Sequence, residues 1–137
     1  MFSKSNLIST IVTAIWGLLG GFLLWGILAD PYLAEHVPIK EIMKQEPDML
    51  YLALGCLIQA FAFSTIFGKY GNGNYGYKSG LSLGLLTAIM VGLGEKLIDF
   101  ATANIMDLQG YIINFGVYIV FFGITGILAG LVYRKTS

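Results

Sequence analysis

The sequence predicts an all-α membrane protein, a bundle of four transmembrane helices with a short interfacial helix in its first external loop. Three observations lead to that expectation. Hydrophobic residues make up 56% of the 137 positions and charged residues only 12%, with a mean hydropathy of +0.75, too apolar for a soluble domain. The apolar residues gather into four runs of about the ~20 residues that a helix needs to cross ~30 Å of hydrocarbon. The charges between the runs separate by sign on alternate connections, as loops on opposite sides of a membrane do. One domain is expected over residues 1–137.

The first span, 7–29, holds no charged residue. Lys4 followed by an apolar run is also the opening of a signal peptide, but the run exceeds the ~7 to 15 residues of such a core, so it is expected to stay as a span. Trp16 falls at its middle, where packing against a neighbouring helix is the expected role. In the connection from Asp30 to Asp48, Ile39, Ile42 and Met43 share one helical stripe after Pro38, with Lys40, Glu41 and Lys44 opposite. That pattern predicts a short surface helix, stopped by Pro47, with its apolar stripe in the membrane interface.

The second span, 49–67, is also uncharged; Cys56 in it reads as a small packing residue. Gly68 to Lys78 reads GKYGNGNYGYK. No Gly-Lys-Ser or Gly-Lys-Thr closes it and no strand precedes it, so it predicts a tight turn rather than a nucleotide loop. The third span, 79–100, is apolar until Glu95, Lys96 and Asp99, and the fourth, 111–133, is uncharged throughout.

Four spans place both termini on one side. Lys4, Lys69, Lys78, Arg134 and Lys135 share that side with no acid among them, whereas all eight acids fall opposite with only Lys40, Lys44 and Lys96. The asymmetry predicts cytoplasmic N- and C-termini, in a bacterial inner membrane. Aromatic belts agree, with Trp25, Tyr32, Tyr51, Phe100 and Tyr111 at the outer interface and Tyr70, Tyr75, Tyr77 and Tyr133 at the inner one.

Glycines recur at helical spacing, Gly17 with Gly21, Gly80 with Gly84, and Gly126 with Gly130. In the third span Ala88 and Gly92 prolong the stripe, which predicts helix-packing faces within the bundle and puts the third span at its centre. The one polar constellation lies near the outer end of that span, where Glu95 and Asp99 are four apart and Lys96 stands three before Asp99. Asn114 and Tyr118 on the fourth span reach the same level, and Gln59 and Thr87 fall near mid-span. Together Glu95, Lys96, Asp99, Asn114, Tyr118 and Gln59 form the candidate polar or ion site; the competing reading has the three charged side chains snorkel into the headgroup layer.

Zero net charge at pH 7 argues against nucleic acid as a partner. One cysteine and one histidine, His36, leave no intramolecular disulfide, no zinc cluster and no bis-His haem, so neither metal nor cofactor is expected. No Ser, His and acid constellation and no HExxH occur, and an enzyme is not expected.

The stretch INFGVYIVFFGITGILAGLVYR, Ile113 to Arg134, after a span ending LIDF, resembles the last helix of a family of small bacterial four-span membrane proteins with a domain of unknown function. Trp25 and Pro31 stand where that family has a Trp-Tyr-Ser-Pro motif, without the Leu-Phe-Gly that follows it there. The resemblance implies the four-span fold and no catalytic residue. The expected role is a small structural or accessory membrane subunit, in contact with lipid and with itself or other membrane subunits. The alternative is a channel or transporter for a proton, ion or small solute.

Overall fold

The computed structural model describes residues 3–29, 49–102 and 107–136. The expected surface helix after Pro38 lies outside the described residues. Almost all of what is described is helical, no strand occurs among the described residues, and four helices are long and apolar enough to cross a membrane.

Helix α1 begins at Lys4 because the Ser3 hydroxyl accepts a hydrogen bond from the backbone N–H of Asn6 (3.1 Å), an N-cap that satisfies one of the free amides of the first turn. It runs to Gly21 and continues as a wider π-helix over Phe22–Ala29. Helix α2 is Met49–Gly71. The turn after it places Asn72 and Gly73 at positive φ (44° and 93°), where asparagine and glycine are tolerated, and bonds Asn74 N–H to the Gly71 carbonyl. The Tyr75 hydroxyl then donates to the Gly68 carbonyl (3.0 Å), tying the turn back to α2. The expected tight turn is therefore present, and it makes α2 and α3 antiparallel neighbours in sequence.

Helix α3 starts at Tyr77, turns π-helical over Ile89–Gly94 and ends as an α-helix over Glu95–Thr102. Helix α4, Leu108–Thr136, starts three residues before the apolar run because Asp107 caps it, its carboxylate accepting from the Gly110 N–H (2.7 Å).

The fourth helix, not the third, stands at the centre. Helix α4 packs along α3 over its greatest length, also packs against α1, and is the most buried of the four; α2 leans chiefly on α1. The reason is that the small stripe of α3 is used on one partner only. A Cβ on Gly80 would overlap the carbonyl of Gly126, one on Gly84 that of Phe122, and one on Gly130 that of Gly76. At these positions the two backbones touch, and only glycine leaves room for it. Ala88 is fully buried on the same face, and Gly92 rests on Tyr118. The Gly17 and Gly21 pair divides: a Cβ on Gly17 would meet Cys56, while Gly21 faces open space and is not part of a packing face.

On α1, burial runs opposite to that of a helix in a soluble bundle. On α1 the buried face is Ser5, Asn6, Ser9, Thr10 and Thr13, and the exposed face is Leu7, Ile11, Ile15 and Leu19. The apolar core is an aromatic column, in which Phe67 meets Tyr133 edge-on (5.1 Å), Phe63 stacks on Phe122 (6.4 Å) and Trp16 stacks on Phe121 (5.8 Å). Trp16 thus packs as expected, and its indole N–H donates to the Phe121 carbonyl (3.1 Å).

Candidate functional site

The six residues expected to form one polar site lie in three places. The first is the last segment of α3. There the Lys96 ammonium stands 3.7 Å from the Asp99 carboxylate, a loose i, i+3 ion pair with both side chains partly exposed. Glu95, one turn before Asp99, is exposed, and its carboxylate makes no hydrogen bond or ion pair among the described residues. Such a pair in contact with solvent contributes well under about 1 kcal/mol.

Asn114 and Tyr118 turn toward α1 instead. Asn114 is buried, and its carbonyl oxygen accepts from the Trp25 indole N–H at 2.6 Å. The Tyr118 ring meets Trp25 edge-on (4.9 Å) and stacks on Phe122 (5.8 Å, 8° between planes). This cluster is held from both sides by the two π-helical stretches, Trp25 belonging to one and Gly92 to the other. The wider turn re-aims side chains relative to a regular helix, and π-turns recur where a helix must do that.

Gln59 is third and apart, exposed midway along α2, with its side chain unbonded among the described residues. It edges a cleft of about 10 Å³ that Thr13, Cys56 and Thr125 also line, over Phe121 and Phe122. That is close to the least volume that holds one water. Both threonine hydroxyls donate along their own helices, Thr13 to the Ser9 carbonyl (2.7 Å) and Thr125 to the Phe121 carbonyl (2.8 Å), leaving acceptor lone pairs at the cleft. Thr87, expected beside Gln59, donates to the Leu83 carbonyl of its own helix (2.9 Å).

The largest polar feature is one that the sequence reading passed over. At the end carrying Lys4, Lys69, Lys78, Arg134 and Lys135, α1, α2 and α4 are joined by side-chain hydrogen bonds. Asn6 donates to the Thr65 hydroxyl (3.0 Å), the Ser64 hydroxyl to the Asn6 carbonyl (3.3 Å), and the Tyr133 hydroxyl to the Ser64 carbonyl (2.8 Å). The Thr136 hydroxyl lies 2.7 Å from that of Ser5. Ser9, fully buried in the same seam, has no partner for its hydroxyl among the described residues. The signal was available in the spacing of Ser5, Asn6, Ser9, Thr10 and Thr13, which repeats every four residues and so marks one helix face.

Comparison with known proteins adds nothing further: no protein family, no curated protein and no solved structure matches this chain.

Proposed function

We propose that this chain is a small integral membrane subunit with a structural or accessory role and no catalytic activity, inserted with both termini in the cytoplasm of a bacterial cell. The observation that carries the reading is the inverted burial. Hydroxyls of Ser and Thr, the Asn6 and Asn114 amides and bare glycine backbone face inward around a small aromatic core, where they bond or pack, and large aliphatic side chains, Leu or Ile, face outward on every helix. In water that surface would drive aggregation; in hydrocarbon it costs nothing, and interior hydrogen bonds take over the role of apolar burial. The clustering of five cations at one end of the bundle supports the orientation. The polar residues support a packing role rather than a path, because the candidate site residues fall into three separate groups.

Native mass spectrometry of the protein extracted gently from its own membrane tests the role. Co-isolation in fixed ratio with itself or with other membrane subunits is expected, and a monomer without companions would overturn it. A second reading, passage of a proton, ion or small solute, is favoured by the Thr13, Gln59 and Thr125 cleft at mid-bundle. Its test is flux in liposomes, where Gln59→Leu and the Glu95→Gln, Asp99→Asn pair must each lower the rate.

A further inference from the structure

We propose that Lys4 and Lys135 form a binding site for the headgroup of an anionic phospholipid, on the flank of the α1 and α4 seam that faces the bilayer. The inference deepens the membrane subunit reading above and rests on it. Helices α1 and α4 run antiparallel. The Thr136 hydroxyl at the end of α4 lies 2.7 Å from that of Ser5 at the start of α1, and further along the seam the Trp16 indole bonds the Phe121 carbonyl. The two hydroxyls thus mark a point where the facing sides of the helices meet.

Lys4 precedes Ser5, and Lys135 precedes Thr136. One step back turns a residue by about 100° around its helix. Antiparallel helices are related by a half-turn about an axis passing through the seam from flank to flank, so one step back from the contact on each helix leads to the same flank. The two lysines therefore stand on one side of the seam at one end of the bundle. Both are exposed, and neither side chain makes a hydrogen bond or ion pair among the described residues. The described acids, Glu95, Asp99 and Asp107, all lie at the opposite end, where α3 finishes and α4 begins. Two like charges held side by side repel, and a phosphate between them relieves the repulsion.

The same flank continues inward as hydrocarbon. Ile8 and Ile11 stand one and two turns from Lys4, and Leu131 and Leu128 stand one and two turns from Lys135. Ile11 and Leu131 are exposed, and Ile8 and Leu128 are half-buried. A soluble anion would meet the lysines and leave this aliphatic floor uncovered. A phospholipid meets both, its phosphodiester on the ammonium groups and its acyl chains along the floor. The lysines also stand at the ends of their spans, the level at which a headgroup lies. The other cations of this end belong elsewhere: Arg134 follows Gly130 by one turn, on the side of α4 that meets the start of α3, and Lys69 and Lys78 lie on α2 and α3.

The experiment uses the full-length chain reconstituted in liposomes of equal phosphatidylcholine and phosphatidylglycerol, then extracted in a mild non-ionic detergent, with retained lipid counted by native mass spectrometry. The wild type should retain phosphatidylglycerol in preference. The Lys4→Gln, Lys135→Gln pair should lower that preference about thirtyfold, roughly fivefold for each ammonium, and Lys4→Arg with Lys135→Arg should keep it. Lys69→Gln with Lys78→Gln removes the same charge from the same end of the bundle and should change the preference little. All four positions are exposed, so the folds should persist, and circular dichroism checks that they do. Inorganic phosphate in large excess should not displace the lipid. An indifferent wild type, an unaffected Lys4 and Lys135 pair, a loss at Lys69 and Lys78 as large as theirs, or displacement by phosphate overturns the site. A wild type that inserts into liposomes but retains both lipids equally would sink the site alone; one that does not insert would sink the membrane subunit reading with it.

Discussion

Asn114 illustrates how a single polar group is settled in this interior. Its carbonyl oxygen takes the Trp25 indole proton at 2.6 Å in a buried setting, so neither group is left bare. Asn114→Leu removes the acceptor and strands the indole N–H, and should lower stability in detergent by about 1–3 kcal/mol. Ser9 gives the opposite case. Its hydroxyl is fully buried and unbonded among the described residues, so Ser9→Ala should leave stability unchanged or raise it by up to about 1 kcal/mol, since a desolvated group is removed and no bond is lost. Equilibrium unfolding of both variants checks the pair, and a loss at Ser9→Ala larger than at Asn114→Leu would contradict this account of the interior. Glu95, Lys96 and Asp99 were legible as a polar cluster because charge stands out in an apolar run. That Asn114 belongs to Trp25 was not, since 89 residues separate the two and only the fold brings them together.

The elements differ in how closely they pack, and glycine records the difference. Along α3 and α4 the contact is backbone on backbone at Gly80 and Gly126, whereas Gly21 on α1 has nothing near it. Gly80→Ala should therefore force the helices apart and lower the melting temperature, by an amount corresponding to about 1–3 kcal/mol of overpacking. Gly21→Ala should be neutral or stabilising by up to about 1 kcal/mol, the ordinary gain of alanine over glycine inside a helix. Thermal unfolding in one detergent compares the two directly, and equal losses would remove the distinction. Gly17 with Gly21 and Gly80 with Gly84 carry the same spacing in the sequence. Spacing reports that two small residues share a face, but not whether another helix lies on that face. The four helices themselves were legible, apart from ends displaced by the Ser3 and Asp107 caps, which lie outside the apolar runs.

For the whole molecule, the basic end gathers the start of α1, the turn between α2 and α3, and the end of α4. With the proposed orientation, a cysteine at Gly73 in a Cys56→Ala background should resist a membrane-impermeant thiol reagent in intact cells, while one at Gln45 reacts. The reverse pattern would invert the protein in its membrane.

Length, hydropathy and the segregation of charge were enough to specify four long helices, their approximate ends and which ends lie together. Those properties depend on the chain's transfer from water to hydrocarbon, a sum over residues that needs no knowledge of neighbours. Only the tertiary structure decided that α4 occupies the centre, that the polar face of α1 is a bonded seam, and that the six candidate site residues fall in three places. Each of those depends on which helix faces turn toward each other, and in lipid no hydrophobic pressure ranks the faces in advance. Close backbone approach and the pairing of particular donors and acceptors choose among them, and both are properties of residue pairs far apart in the chain.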